Sequence, residues 1–178
     1  MIIDLSARLR LPDGMRLVAT AIRPADSRRE AETAAVDRLI KYLFGSDVKH
    51  THRADGSPVI DGVGSEISVS HSRTHAFVAT HTHLRIGVDA EQPRNQLMTV
   101  ASKFMSAEEL TTPLSLDQLL TAWTIKEAVY KAAGTPGLSL TDIKLPIRNK
   151  MASTVSGRRF RLFTARTANH TVTVAIPH

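Results

Sequence analysis

The sequence predicts an α+β fold built as two related halves, and three observations carry that expectation. The order strand, helix, strands occurs twice along the 178 residues, and the two runs meet near residue 84. Each half holds one long segment of helical period among short alternating strands. The apolar fraction of 42% supports an ordinary core, in one compact domain or in two small packed halves. The division expected is residues 1–84 and 85–178.

In chain order, residues 16–22 read as a strand and residues 27–44 as a helix ending before Gly45. That helix opens with Arg28, Arg29 and Glu30 and should bury Ala34, Ala35, Leu39, Ile40 and Leu43. A glycine-rich stretch, residues 54–64, is turn-prone, and the whole 45–64 connection is expected to be flexible. Strands follow at 66–70 and 75–81. Residues 84–91, LRIGVDAE, alternate as a strand, with Ile86, Val88 and Ala90 on one face and Gly87, Asp89 and Glu91 on the other. A helix is expected over 96–105. A second, short one should begin at Ser106, because Ser106-Ala107-Glu108-Glu109 has the form of a capping box. The long helix around residues 119–134 stops at Gly134-Thr135-Pro136-Gly137. Strands close the chain near 142–147, 159–165 and 170–176, with a second flexible point at 148–157.

Composition removes several classes of function. The chain has no cysteine, so disulfides, thiolate zinc sites and cysteine nucleophiles are excluded within it. Its first residues, MIIDLSARLRLPDG, hold no apolar run of signal-peptide or membrane-span length, so a cytoplasmic protein is expected. The net charge of +6 favours anionic partners. The basic residues are scattered and aromatic residues make up only 4%, too few for a base-stacking platform. A phosphorylated small molecule or an acidic protein surface suits that charge better than nucleic acid.

Chemistry concentrates in two segments. On a helical wheel Leu116, Leu119, Leu120, Trp123 and Tyr130 share one side with Glu127, and Lys131 lies at its edge. A buried carboxylate needs compensation, from the lysine, a metal ion or a proton. Asp89 and Glu91, at i and i+2 on one strand face, could ligate one hard cation together with Glu127; they could equally be a solvated strand end. A third segment, 66–72 (EISVSHS), offers the hydroxyl of Ser70 and the imidazole of His71 at a strand end. Adjacent strand residues point to opposite faces, so this pair cannot act as nucleophile and base. His71, His75, His81 and His83 form a histidine-rich stretch without cysteine or a nearby acid before Asp89, and surface roles suit them better than a zinc site.

With SVSHS, GVDAE and WTIKEAVYKAAG in this order, the chain resembles the 4′-phosphopantetheinyl transferase superfamily, in its larger, two-halved type. Lys103-Phe104-Met105-Ser106 and Gly137-Leu138-Ser139-Leu140 also match. The resemblance implies a pseudo-dimer of two similar halves, each a small antiparallel sheet packed against a long helix, active as a monomer. It implies magnesium-dependent transfer of the phosphopantetheine arm of coenzyme A to a serine of an apo acyl or peptidyl carrier protein, releasing adenosine 3′,5′-bisphosphate. No nucleic acid or membrane is implied as a partner. Asp89, Glu91 and Glu127 would be the magnesium ligands. Glu127 would also be the base, directly or through a metal-bound water, in a catalytic set with Lys131 and His71. Ser70, His71, Lys126 and Lys131 would contact the coenzyme. Family members often carry Gly-Lys-Pro where this chain has Gly56-Ser57-Pro58, so Arg28 and Arg29 become candidates to replace the lost lysine. The alternative is a relative that binds coenzyme A or a carrier protein with weak or no transfer.

Overall fold

Two antiparallel sheets with helices packed on them make up the α+β structure, a computed structural model that describes residues 1–146 and 151–178. The first sheet takes β1 (Ile2–Asp4), β2 (Met15–Ala21), β3 (His50–His52), β4 (Pro58–Ile60), β5 (Glu66–His71) and β6 (His75–His81), in the spatial order β1-β2-β6-β5-β4-β3. The second takes β7 (Gly87–Glu91), β8 (Ile143–Lys144), β9 (Met151–Thr154), β10 (Arg159–Arg166) and β11 (Thr171–Pro177), in the order β7-β11-β10-β9-β8. The helices are α1 (Ser6–Leu9), α2 (Arg28–Phe44), α3 (Gln96–Val100) and α4 (Leu116–Ala133).

Local chemistry sets the long helices. Ser27 caps α2, accepting from the Glu30 N–H while its own N–H donates to the Glu30 carboxylate. Ser115 and Gln118 repeat the device at α4. The buried stripe of α2 is Ala31, Ala35, Val36, Leu39 and Ile40, which meets Val18, Ile67, Ala76 and Val78 of the first sheet. Ala34, expected inside, is exposed, and Leu43 is only partly buried. The Ser106–Glu109 box also forms, at 2.8 and 3.2 Å, yet only turns follow it. Pro113 disfavours helical backbone at Thr112, and the Glu109 carboxylate is drawn aside to Lys126. The helix expected over 96–105 stops at Val100 and tightens into a 3₁₀ turn, Ala101–Lys103.

The 45–64 connection is not the plain loop expected: β3 and β4 form a hairpin there that extends the first sheet beyond β5. The strand expected to reach residue 147 is described only for Ile143–Lys144. Residue 147 and the start of the 148–157 stretch lie outside the described residues, and β9 occupies 151–154.

Two contacts join the sheets and fix α4. β7 is the edge strand of the second sheet, and its outward N–H groups at Val88 and Ala90 donate to the hydroxyls of Ser68 (3.0 Å) and Ser70 (3.2 Å) on β5. Edge amides are thus satisfied by side chains rather than by another strand. Beneath them Leu17, Phe77, Val88, Ala90, Val172 and Val174 form one core between the sheets. On the other face of β7, Gly87 touches the backbone of α4: a Cβ there would stand 1.9 Å from the Ala128 carbonyl oxygen and 2.7 Å from the Ala132 nitrogen. Ile125, Ala128, Val129 and Ala132 therefore face the second sheet, packing with Phe160, Leu162 and Ala175. A further tie is His170, buried just before β11, whose Nε2 lies 2.8 Å from the Ser72 hydroxyl next to β5.

The Gly87→Ala variant is expected to lose about 3 kcal/mol in urea unfolding, because the atoms a methyl would meet are helix backbone. A loss under about 0.5 kcal/mol would show that α4 can withdraw freely. Burial, reinforced by His75, lowers the His170 pKa to about 4. The folded state therefore prefers the neutral ring, while the unfolded chain takes up a proton near pH 6.5. This contribution is complete above pH 6.5 and is lost as pH falls toward 4. The stability advantage of wild type over His170→Asn should shrink by about 2 kcal/mol from pH 7 to pH 4; a constant difference would remove His170 as the cause.

Candidate functional site

The carboxylates of β7 and α4 come within electrostatic reach of one another because of the Gly87 contact. Asp89 is buried, and its Oδ1 accepts from Ser70 Oγ and from Lys131 Nζ, each at 3.0 Å. Lys131 also donates to the Val88 carbonyl at 2.9 Å. Asp89 Oδ2 is buried without a hydrogen-bond partner among the described residues, an unusual state for a carboxylate oxygen. Glu91, half-buried at the end of β7, has its pKa raised by burial, against the pull of Arg94, with Asp89 adding to the rise. Glu127 is raised likewise, by burial first and then by Asp89, with Lys131 opposing and Glu91 adding.

The apolar stripe of the helical wheel holds in the first half of α4, where Leu119 and Leu120 are buried and Leu116 and Trp123 pack against their cluster. Beyond it the buried side turns to Ile125, Ala128, Val129 and Ala132, while Tyr130 is exposed and Glu127 is only partly buried. Close backbone approach at Gly87 lets alanines make that second contact. Glu127 and Lys131, one turn apart, lie instead beside Asp89, on the side open to solvent.

This donor set suits a hard divalent cation. It offers carboxylate oxygens alone, two carboxylates (Glu91 and Glu127) whose proton affinity burial and the neighbouring Asp89 raise, and a buried oxygen without a hydrogen-bond partner among the described residues. Among the described residues, no three His, Cys, Asp or Glu side chains are already drawn together as a metal cage. The cation now serving Asp89 is Lys131.

Two clefts open beside these residues. The larger, about 650 Å³, is lined by Arg53, Ser57, Ser68, Arg85, Tyr130 and Lys131. The smaller, about 490 Å³, is lined by Arg29, Glu32, His50, His52 and His71. Gly56, Pro58 and Val69 border both, so the β3–β4 turn stands between them. Ser57 donates to Asp55 Oδ1 through its N–H (2.9 Å) and its hydroxyl (2.6 Å), and Arg85 donates to Asp55 Oδ2 at 2.7 Å. These bonds hold the Asp55 carboxyl far below the ordinary range, Ser57 first and Arg85 next. A guanidinium thus reaches the turn in which Ser57 stands. Sequence reasoning missed Arg85 and Arg53; Arg85 directly precedes the acid-bearing strand, but Arg53, in an apparent loop, gave no signal.

The remaining candidates separate. Ser70 and His71 point to opposite faces, the hydroxyl into the sheet seam and the ring outward to the smaller cleft. Partial burial lowers the His71 pKa; Glu32 opposes this, and Lys131 and Arg28 add to it. Arg29 shares that cleft, whereas Arg28 spends its donors on Glu32 and on the carbonyls of Ser72 and Arg73. Lys126 stands apart from all of these. It is fully buried, with its ammonium donating to Glu109 (2.7 Å) and to the carbonyls of Leu140 (3.1 Å) and Ile143 (2.6 Å). With three donors bound on the far side of α4, it has none left for a coenzyme. His81, in the histidine-rich stretch, uses Nδ1 to accept from the His83 and Leu84 N–H groups.

The sequence model of the 4′-phosphopantetheinyl transferase superfamily matches residues 85–175, just over half of the chain, a span that contains β7 and α4 entire. No curated protein matches the sequence. No helix among the described residues is long and apolar enough to cross a membrane.

Proposed function

The chain belongs to the 4′-phosphopantetheinyl transferase superfamily, and from that premise we propose that it transfers the 4′-phosphopantetheine arm of coenzyme A to a serine of an apo acyl or peptidyl carrier protein. The observation that carries this is the partnerless Asp89 Oδ2 beside Glu91, Glu127 and Lys131. The serine oxygen forms a bond to the β-phosphorus of the coenzyme, the bond to the bridging oxygen breaks, and adenosine 3′,5′-bisphosphate leaves.

Asp89, Glu91 and Glu127 would hold magnesium, which supplies Lewis-acid neutralisation of the diphosphate. Lys131, freed from Asp89, pairs with a phosphate oxygen as charge moves onto the leaving group. Glu127, a carboxylate on the solvent-facing side of α4 beside Asp89, takes the proton of the serine hydroxyl. Arg29 and His71 line the smaller cleft and hold the 3′-phosphate end of the coenzyme. Arg85 contributes the positive charge at the turn that Ser57 does not. Residues 1–84 and 85–178 act as the two halves of a pseudo-dimer, so a monomer suffices, and the net charge of +6 attracts an acidic carrier-protein helix.

Mass spectrometry of an apo carrier protein incubated with the chain, coenzyme A and magnesium should show a gain of roughly 340 Da that chelation prevents. The Glu127→Gln variant, which keeps side-chain volume and removes a disfavoured charge, should lower the rate at least about 100-fold without lowering the unfolding midpoint. Coenzyme A binding without any mass gain would favour a binding relative instead, the reading to which Ser57 lends support.

A further inference from the structure

We propose that Ser70 is a positioning residue for Asp89, setting which carboxylate oxygen is presented to the metal. This rests on the metal reading given under Proposed function. The geometry is a short relay: the Ala90 N–H donates to Ser70 Oγ at 3.2 Å, and Ser70 Oγ donates to Asp89 Oδ1 at 3.0 Å. A hydroxyl has one proton. With the amide occupying a lone pair of Ser70, that proton is directed at Oδ1. Lys131 also ends on Oδ1, so both protein donors crowd one oxygen and Oδ2 keeps its lone pairs.

The two donors differ in permanence. Lys131 reaches Asp89 through a long, flexible side chain, partly exposed, that can leave for a phosphate. Ser70 is buried on β5, which pairs with β6 along its whole length, and its side chain has a single heavy-atom torsion. It stays when Lys131 goes. Second-layer partners of this kind orient a ligand and strengthen its hold on the metal. Ser68, two residues earlier on the same face, accepts from the Val88 N–H in the same way, and among the described residues its hydroxyl has no hydrogen bond to a carboxylate. The chain therefore contains its own control for the seam.

The test is Mn²⁺ binding to the purified full chain, read from the electron paramagnetic resonance signal of free Mn²⁺, with no carrier protein and no turnover. Both Ser68→Ala and Ser70→Ala should lower the unfolding midpoint, because each leaves one β7 amide without its partner. Ser70→Ala alone should weaken Mn²⁺ binding, by about tenfold or more, while Ser68→Ala stays within about twofold of wild type. Should the alanine variant not fold, Ser70→Cys, near in size and a weaker hydrogen-bonding group, should weaken Mn²⁺ binding in the same direction. Wild-type affinity in the folded Ser70 variant, or equal losses at Ser68 and Ser70, would overturn the positioning role. A wild-type chain with no saturable Mn²⁺ site would overturn the metal reading, and this inference with it.

Discussion

The contact between the α4 backbone and Gly87 is the constraint on which the rest depends. Any side chain at residue 87 would collide with the Ala128 carbonyl, so helix and strand lie closer than side-chain packing ordinarily permits. That closeness turns the alanines of α4 toward the second sheet, and it leaves Glu127 and Lys131 beside Asp89 and Glu91. β7 is held from its other edge by the hydroxyls of Ser68 and Ser70. A strand clamped between a helix on one side and two serines on the other has little freedom to move its carboxylates.

The electrostatics follow from that geometry. Three carboxylates within reach of one another, with Lys131 paired to Asp89 and Arg94 to Glu91, keep an excess of negative charge that burial makes more costly. Across the β3–β4 turn the charges are nearly balanced: Arg53, Arg85 and Lys131 line one cleft with Glu66 and Asp55, and Arg29 lines the other with Glu32. Gathered carboxylates beside clefts that offer guanidinium and ammonium groups suit a ligand that brings a divalent cation to the first and phosphates to the second.

The legible parts of the sequence were those whose signals are local. The span of β6 and the bounds of α2 agree with the strand expected at 75–81 and the helix expected at 27–44. The sidedness of β7 agrees too, since Ile86, Val88 and Ala90 join the core while Asp89 turns away from it. The three-residue strands β1, β3 and β4 were not legible, because runs so short show no period and exist only by pairing with a neighbour. The buried face of α4 was legible only in its first half, where Leu119 and Leu120 are buried. A wheel weighs large apolar residues, and the second half packs through alanines that Gly87 makes possible. Asp89, Glu91 and Glu127 were named from GVDAE and WTIKEAVYKAAG, which carry the resemblance independently of that face. The direction of the Ser70 hydroxyl could not be read, because it depends on a strand twenty residues away.

Lys126 and Glu127 are neighbours in sequence and opposites in setting, and this has a consequence for how α4 is seated. Lys126 fills a socket of one carboxylate and two carbonyl oxygens, all acceptors. Sliding the helix by one residue so that Glu127 took the place of Lys126 would bring a carboxylate into that socket, where every partner repels it, and would put Ala128 where Glu127 stands. That exchange is not tolerable in a dry interior. The adjacent opposite charges thus act as a key cut for one alignment, rejecting the slipped state that a smooth alanine surface would otherwise allow.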